Sequence, residues 1–206
     1  TILMSDTYQQ SSQFRPDVAE KDADNTLLAR QSRIRLSAEQ IRDEALFAAG
    51  ILDPRIGGPS IKPPQPASVA ELTYANSNKW KDSEGPDRYR RGLYIHFQRT
   101  APYPQLMNFD APEGTVACSQ RRKSNTPLQS LNLLNDPVFF EAAQKLTDRV
   151  SSLPNDEAKV KAAFQYALGR QPRAQEQKRL IELASSEGFL TAARVILNLD
   201  EFITRE

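Results

Sequence analysis

The chain has one cysteine, one histidine and almost no net charge, and each scarcity closes a class of function. With Cys118 alone, no intramolecular disulfide can form. With His96 alone, sites built from several histidines are excluded, and a hydrolytic triad needs matched partners that no motif supplies. The 27 basic and 26 acidic residues nearly cancel, so no global field steers the protein towards nucleic acid. No apolar run reaches the length of a membrane span, and no signal peptide precedes the first element. Gly-x-Ser-x-Gly, His-Glu-x-x-His and Walker loops are missing, and no spacing reads as a metal site. Apolar residues make up only 39%, and mean hydropathy is −0.59, which predicts a polar surface over a modest core or long loops. At 206 residues the chain is long enough to bury that core as a single domain without staples.

What is present is organised around proline. Nine of the 14 prolines fall between residues 54 and 112. Five of them, with Gly57 and Gly58, occupy 53–66, which excludes helix and central strand there and predicts a long irregular loop. Upstream, residues 1–13 read as the last turns of a helix that begins before Thr1, which implies that the chain starts inside a longer element. Asp22 to Gln31 predicts a short second helix held by Leu27 and Leu28. Ser37-Ala-Glu-Gln40 is a capping box, followed by Ile41, Ala45, Leu46, Ala48 and Ala49 at helical spacing and a stop at Gly50. Residues 88–99 fit either a helix or a strand around Tyr94-Ile95-His96-Phe97.

From residue 125 the pattern changes. Pro127, Pro137, Pro154 and Pro172 stand at or just before helix starts, with Asn125 or Thr126, Asp136, and Asn155 or Asp156 as caps. Apolar stripes follow: Phe139, Ala143, Leu146 and Val150, then Val160, Ala163, Phe164, Ala167 and Leu168 ahead of Gly169. Two further helices are marked by Leu180 with Ala184 and by Phe189 with Ile196. Short links make them antiparallel neighbours. The expected fold is mainly α: an irregular proline-rich region packed on helices, plus a C-terminal antiparallel helical bundle. It is a single domain, 1–206, with a helical and loop-rich lobe at 1–124 and a bundle lobe at 125–206.

Three constellations carry possible chemistry. Arg121, Arg122 and Lys123 run into the helix start at Asn125 and Thr126, where free N–H groups and guanidinium donors favour a sulfate, phosphate or carboxylate. Arg88, Arg90, Arg91 and Arg99 join them there if the middle segment folds back. The competing reading is that these arginines pair with the protein's own carboxylates or cap its carbonyls. Gln129 is expected to anchor a loop backbone. Asp110 and Glu113, three apart in a loop, and His96 form an alternative polar site: paired carboxylates serve as acid and base in glycoside hydrolysis or contribute to a calcium site. The rings of Tyr74, Trp80, Tyr89, Tyr94, Phe97, Tyr103 and Phe109 either stack on sugars or form the local core beneath the loops.

The stretch Arg121-Arg-Lys-Ser-Asn-Thr-Pro-Leu-Gln-Ser-Leu-Asn-Leu-Leu-Asn-Asp-Pro137 resembles the signature of a planctomycete-specific domain of unknown function, DUF1553. Thr1 to Ser12, Leu36 to Asp53, Ile56 to Ser60, Tyr89 to Tyr94, Met107 to Pro112, Leu168 to Pro172 and Leu197 to Arg205 resemble further family segments in order, so the resemblance spans almost the whole chain. It implies an exported, periplasmic or envelope-associated protein of multidomain build. Such a protein carries an upstream c-type haem domain and a sister domain, both of them partners of this one. This chain has no Cys-x-x-Cys-His, so the resemblance implies no haem or other cofactor within it. The family supplies no catalytic residues to carry over. The function expected from these readings is that of a non-catalytic docking or scaffold module that recognises an anionic group, such as a sulfated glycan. The alternative is a hydrolase of complex or sulfated polysaccharide.

Overall fold

The computed structural model describes residues 1–66 and 79–205. Tyr74 lies outside the described residues. The chain divides into two compact units, Thr1–Leu36 with the chain end from Ile203, and Ser37–Phe202. The described residues are mainly α, as expected, and their one sheet has two strands.

The first unit has little regular structure. A 3-10 turn at Ile2–Met4 replaces the helix end predicted over 1–13. Ser5 explains the difference: its hydroxyl donates to the Ile2 carbonyl at 2.8 Å and accepts from the Tyr8 N–H at 3.3 Å, taking backbone groups that a helix would use. The helix predicted over 22–31 is likewise absent. Asp22 accepts from the Thr26 and Leu27 N–H groups at 2.7 and 2.8 Å, and Asn25 and Leu28 take positive φ, so a tight turn forms. Leu27 and Leu28 are exposed rather than packed. Its α-helix is α1, Pro16–Ala19, and two short strands, β1 (Ile34–Arg35) and β2 (Thr204–Arg205), pair antiparallel with Ile34 opposite Arg205.

The second unit holds the core. Helix α2, Ala38–Ala48, starts at the capping box: the Ser37 hydroxyl accepts from the Gln40 N–H at 3.4 Å, and the Gln40 side chain accepts from the Ser37 N–H at 3.0 Å. Its apolar face, Ile41, Ala45 and Leu46, is buried. Helices α3 (Pro104–Asn108), α4 (Pro127–Asn135), α5 (Pro137–Val150), α6 (Asp156–Leu168), α7 (Ala174–Glu187) and α8 (Phe189–Ile196) follow, with a last turn, α9, at Asp200–Ile203. The caps fall where proline and the polar residues place them: Thr126 precedes α4, Asp136 caps α5 through the Val138 N–H at 2.9 Å, and Asn155 caps α6 through the Ala158 N–H at 2.9 Å. Gly169 ends α6 at φ +71°, in the left-handed region that glycine adopts freely. The stripes of α5 and α6 are buried, except that Leu168 at the end of α6 is half-buried, and α2 packs against both helices, so the first half of this unit is built onto the bundle.

The loop-rich middle, residues 53–66 and 79–103, has no hydrogen-bonded elements longer than a 3-10 turn, at Gly85–Tyr89 and Gly92–Tyr94, plus single bridges Asp53 to Arg90 and Ile61 to Ile95. Residues 88–99 are therefore neither helix nor strand. Arginine side chains hold this region in place of a ladder. Arg42, on α2 and only 1% exposed, donates to the carbonyls of Arg90 and Arg88, the latter at 2.8 Å. Arg90, 2% exposed, donates in turn to the carbonyls of Pro59 and Gly57 and stacks on the Tyr94 ring at 4.1 Å. Gln105 donates to the Ala38 carbonyl at 2.7 Å, and the Tyr103 hydroxyl to the Pro64 carbonyl at 3.1 Å. Gly92 lies so close to α2 that a Cβ there would meet the Glu39 carbonyl at 2.7 Å.

Two expectations follow. Replacing Arg42 with alanine leaves two loop carbonyls buried and unpaired, and unfolding in urea will show a loss of about 3 kcal/mol or more. Arg42→Lys will not restore it, because an ammonium lacks the planar fork that spans two carbonyls. The second concerns Asp136. Burial pushes its carboxyl from 3.8 up to about 6, against the Val138 N–H, the Asn132 side chain and the nearby Arg42 charge. The folded state thus binds the proton more tightly than the unfolded chain. The contribution is full below about pH 4 and disappears as pH rises through 6, a swing of about 3 kcal/mol at 1.36 kcal/mol per unit. Asp136→Asn keeps an acceptor for the cap, so denaturation midpoints will rise at pH 7 and flatten between pH 4 and 6.

Candidate functional site

The segment after α3 folds back on the start of α4, and one polar network fixes both. Asp110, at φ +58°, accepts from the Ser124 N–H at 2.8 Å and from its hydroxyl at 2.9 Å. The Gln129 side chain donates to the Asn108 carbonyl at 3.0 Å and to the Ser124 hydroxyl at 3.1 Å, and its Oε1 accepts from the Thr126 N–H at 3.4 Å. Asn108 donates to the Asn132 side chain at 2.7 Å. Gln129 thus anchors loop backbone, as its position predicted. The network draws the segments 107–112 and 121–137 together, although they are separate in sequence.

Between these segments, residues 111–123 form an open loop. Two adjoining hollows of about 610 and 920 Å³ share Asp110, Gln120, Arg121 and Arg122. Glu113 and Cys118 line the smaller one and Lys123 the larger. Four of the predicted site residues therefore meet at one groove: Arg121, Arg122, Asp110 and Glu113. Asn125 and Thr126 follow directly at the start of α4, both exposed, with Thr126 rather than Asn125 in the cap position. His96 is not among the lining residues. Its backbone N–H donates to the Ile61 carbonyl at 2.7 Å, and its ring lies tilted beside Trp80, 6.4 Å between centroids.

The three cations of the run differ in what they do. Arg121 donates to Glu39 at 2.7 Å, a pair 82 residues apart in sequence. Burial raises the Glu39 carboxyl, but Arg121 and further hydrogen bonds outweigh it and hold Glu39 below its ordinary value. The same pairing raises Arg121. Arg122 and Lys123 are exposed and have no partner among the described residues. The arginines of the middle segment do not converge here. Arg88 pairs with Glu141 at 2.7 Å, Arg91 with Asp43 at 3.3 Å, and Arg90 is spent on loop carbonyls.

The groove offers guanidinium and ammonium donors to an anion, with one carboxylate, Glu113, exposed at its wall. Asp110 is occupied as a staple. Among the described residues, no group of three or more His, Cys, Asp or Glu is placed to hold a metal ion. Trp80, Tyr103 and Phe109 belong to the local core: Trp80 is 7% exposed, stacks on Tyr103 at 5.8 Å with 9° between planes, and carries Lys62 at 5.8 Å from its ring, while Tyr89, Tyr94 and Phe97 are half-buried. The Asp110–Ser124 staple and the Glu39–Arg121 pair had no local sequence signal, since each joins residues that only the fold brings together.

Among the described residues, no helix is long and apolar enough to cross a membrane. No curated protein and no solved structure matches the chain. One family model, described as PSD1, protein of unknown function (DUF1553), matches residues 1–184, and the chain therefore belongs to the DUF1553 family.

Proposed function

We propose that this chain is a non-catalytic docking module of an exported multidomain protein whose neighbours include a c-type haem domain, and that it recognises an anionic group at the groove between Asp110 and Lys123. The single observation that carries the reading is the division of labour in the basic run. Arg121 is tied to Glu39 and fixes the wall, while Arg122 and Lys123 have no partner among the described residues. Guanidinium and ammonium groups held at the rim of an open groove suit a sulfate or carboxylate, and the bidentate fork of Arg122 suits a planar or tetrahedral oxyanion.

A second reading has one observation in its favour. Glu113 lines the same hollow as Arg121 and Arg122, beside Asp110, so an exposed carboxylate and two guanidinium groups share one cleft. In it Glu113 is the acid and the arginines hold the substrate's sulfate.

Heparin serves as the probe. Wild-type protein is expected to bind it in a salt-dependent manner, and Arg121→Ala/Arg122→Ala to weaken it at least tenfold. Because Arg121 also serves the fold, Arg122→Ala/Lys123→Ala is the cleaner variant: it should lose binding with an unchanged urea midpoint. Absence of wild-type binding removes the glycan ligand. Release of reducing ends from sulfated polysaccharide, abolished by Glu113→Gln, would instead establish the hydrolase.

A further inference from the structure

Helix α4 divides its leucines. Its sequence, Pro127-Leu-Gln-Ser-Leu-Asn-Leu-Leu-Asn135, offers four of them; Leu133 is buried at 3% exposure beside Gln129 at 1% and Asn132 at 8%, while Leu128 and Leu131 are each 54% exposed. An exposed leucine alone is ordinary. Two at i and i+3 on a helix whose buried face includes two amides are not, because a rotation that hid more leucine would be favoured unless another demand fixed the helix. That demand is the network described above: Gln129 and Asn132 must face Asn108 and Ser124 to hold the groove loop. The leucine face is therefore presented outward by the same bonds that build the basic groove. Leu131 lies one turn from the C-terminal end of α4, where Arg194 of α8 donates to the Leu134 carbonyl at 2.8 Å and lies 5.4 Å from the Phe140 ring. Phe140 of α5 and Val195 of α8 are themselves partly exposed.

We infer that the exposed leucine face of α4, together with Arg122 and Lys123 just before it, is a docking surface for an acidic amphipathic segment of another polypeptide. This rests on the docking reading above and names its partner class. Charge complementarity selects the occupant. The leucine face, with two unpartnered cations at one end, matches a helix whose leucine-type face carries carboxylates beside it. A sulfated glycan would satisfy the cations but leave Leu128 and Leu131 in water. The two sites share Arg122 and Lys123 and differ in the leucines, which makes them separable.

The test uses the full chain and a fluorescent synthetic peptide of about four helical turns, with leucines at i, i+3, i+4 and i+7 and glutamates flanking them. A version with lysine for glutamate is the control. The glutamate peptide should bind, the lysine version at least tenfold more weakly. Leu128→Ser/Leu131→Ser should lose the glutamate peptide at least tenfold while heparin binding and the urea midpoint stay unchanged. Arg122→Ala/Lys123→Ala should lose both ligands. Failure of the glutamate peptide while heparin binds overturns this inference and leaves the glycan reading standing. Peptide binding without heparin binding does the reverse. Equal binding of the lysine version, or binding that survives the serine variant, also overturns it. So does a wild-type dimer in sedimentation that the serine variant dissolves, since a second copy is then the occupant. Binding to anionic vesicles that depends on the leucines, without peptide binding, overturns it in favour of a lipid surface.

Discussion

The structure depends on Arg42. A guanidinium buried to 1% exposure in the middle of α2 forms no direct ion pair among the described residues, and its two terminal nitrogens donate to two loop carbonyls. Its net worth is conformational: backbone that pairs with itself only at single bridges, because proline and 3-10 turns interrupt it, is given further partners from a helix. Arg90 repeats the device one layer further out, on Gly57 and Pro59. Arg149 and Arg194 apply it to helix ends, donating to the carbonyls of Ala48 and Leu134 at 2.8 Å each, where the dipole also favours a cation. A chain with few apolar residues thus uses arginine as a connecting element in place of a larger aliphatic core.

That use of charge bears on how the composition should be understood. The basic residues nearly balance the acidic ones, yet many arginines are engaged inside the fold. Arg88 is bound to Glu141, Arg170 is shared by Glu176 and Glu201, and Arg121 is bound to Glu39. Net charge therefore says little about the groove. What matters there is which cations remain once internal pairing is complete, and at the basic run those are Arg122 and Lys123.

How much of this was legible in sequence follows from the range of each interaction. Proline at N1, a polar cap before it and glycine at the stop act within four residues, so the helices after residue 125 and the capping box at Ser37 could be read directly. The two helices predicted in the first unit and absent from it also failed for local reasons. Ser5, Asp22 and Asn25 are as able to seize backbone groups as to precede a helix, and the pattern of apolar residues does not decide between the two outcomes. The groove was half legible. Its cations and carboxylates could be named from the sequence, but the pairing of Arg121 with Glu39, the stapling of Asp110 by Ser124 and the rotation of α4 depend on contacts across the fold. Gln129 could be read as a loop anchor, but the burial of Asn132 beside it could not, because the partners of both are backbone and amide groups that only the fold brings near.

The arginine-to-carbonyl bonds have a consequence in time as well as in energy. Each spans tens of residues: 46 and 48 from Arg42, 101 from Arg149 to Ala48, and 60 from Arg194 to Leu134. A helical bundle normally forms from near neighbours and is quick to assemble, since most of its contacts close short loops. Here the helices can form early, but the loop-rich middle joins itself only through 3-10 turns, single bridges and a few side-chain bonds such as those of Arg90, and it gains its anchor on a helix when Arg42 reaches the carbonyls of Arg88 and Arg90. The second unit is then helical in content and non-local in connection, so more of its contacts close long loops than in a simple bundle.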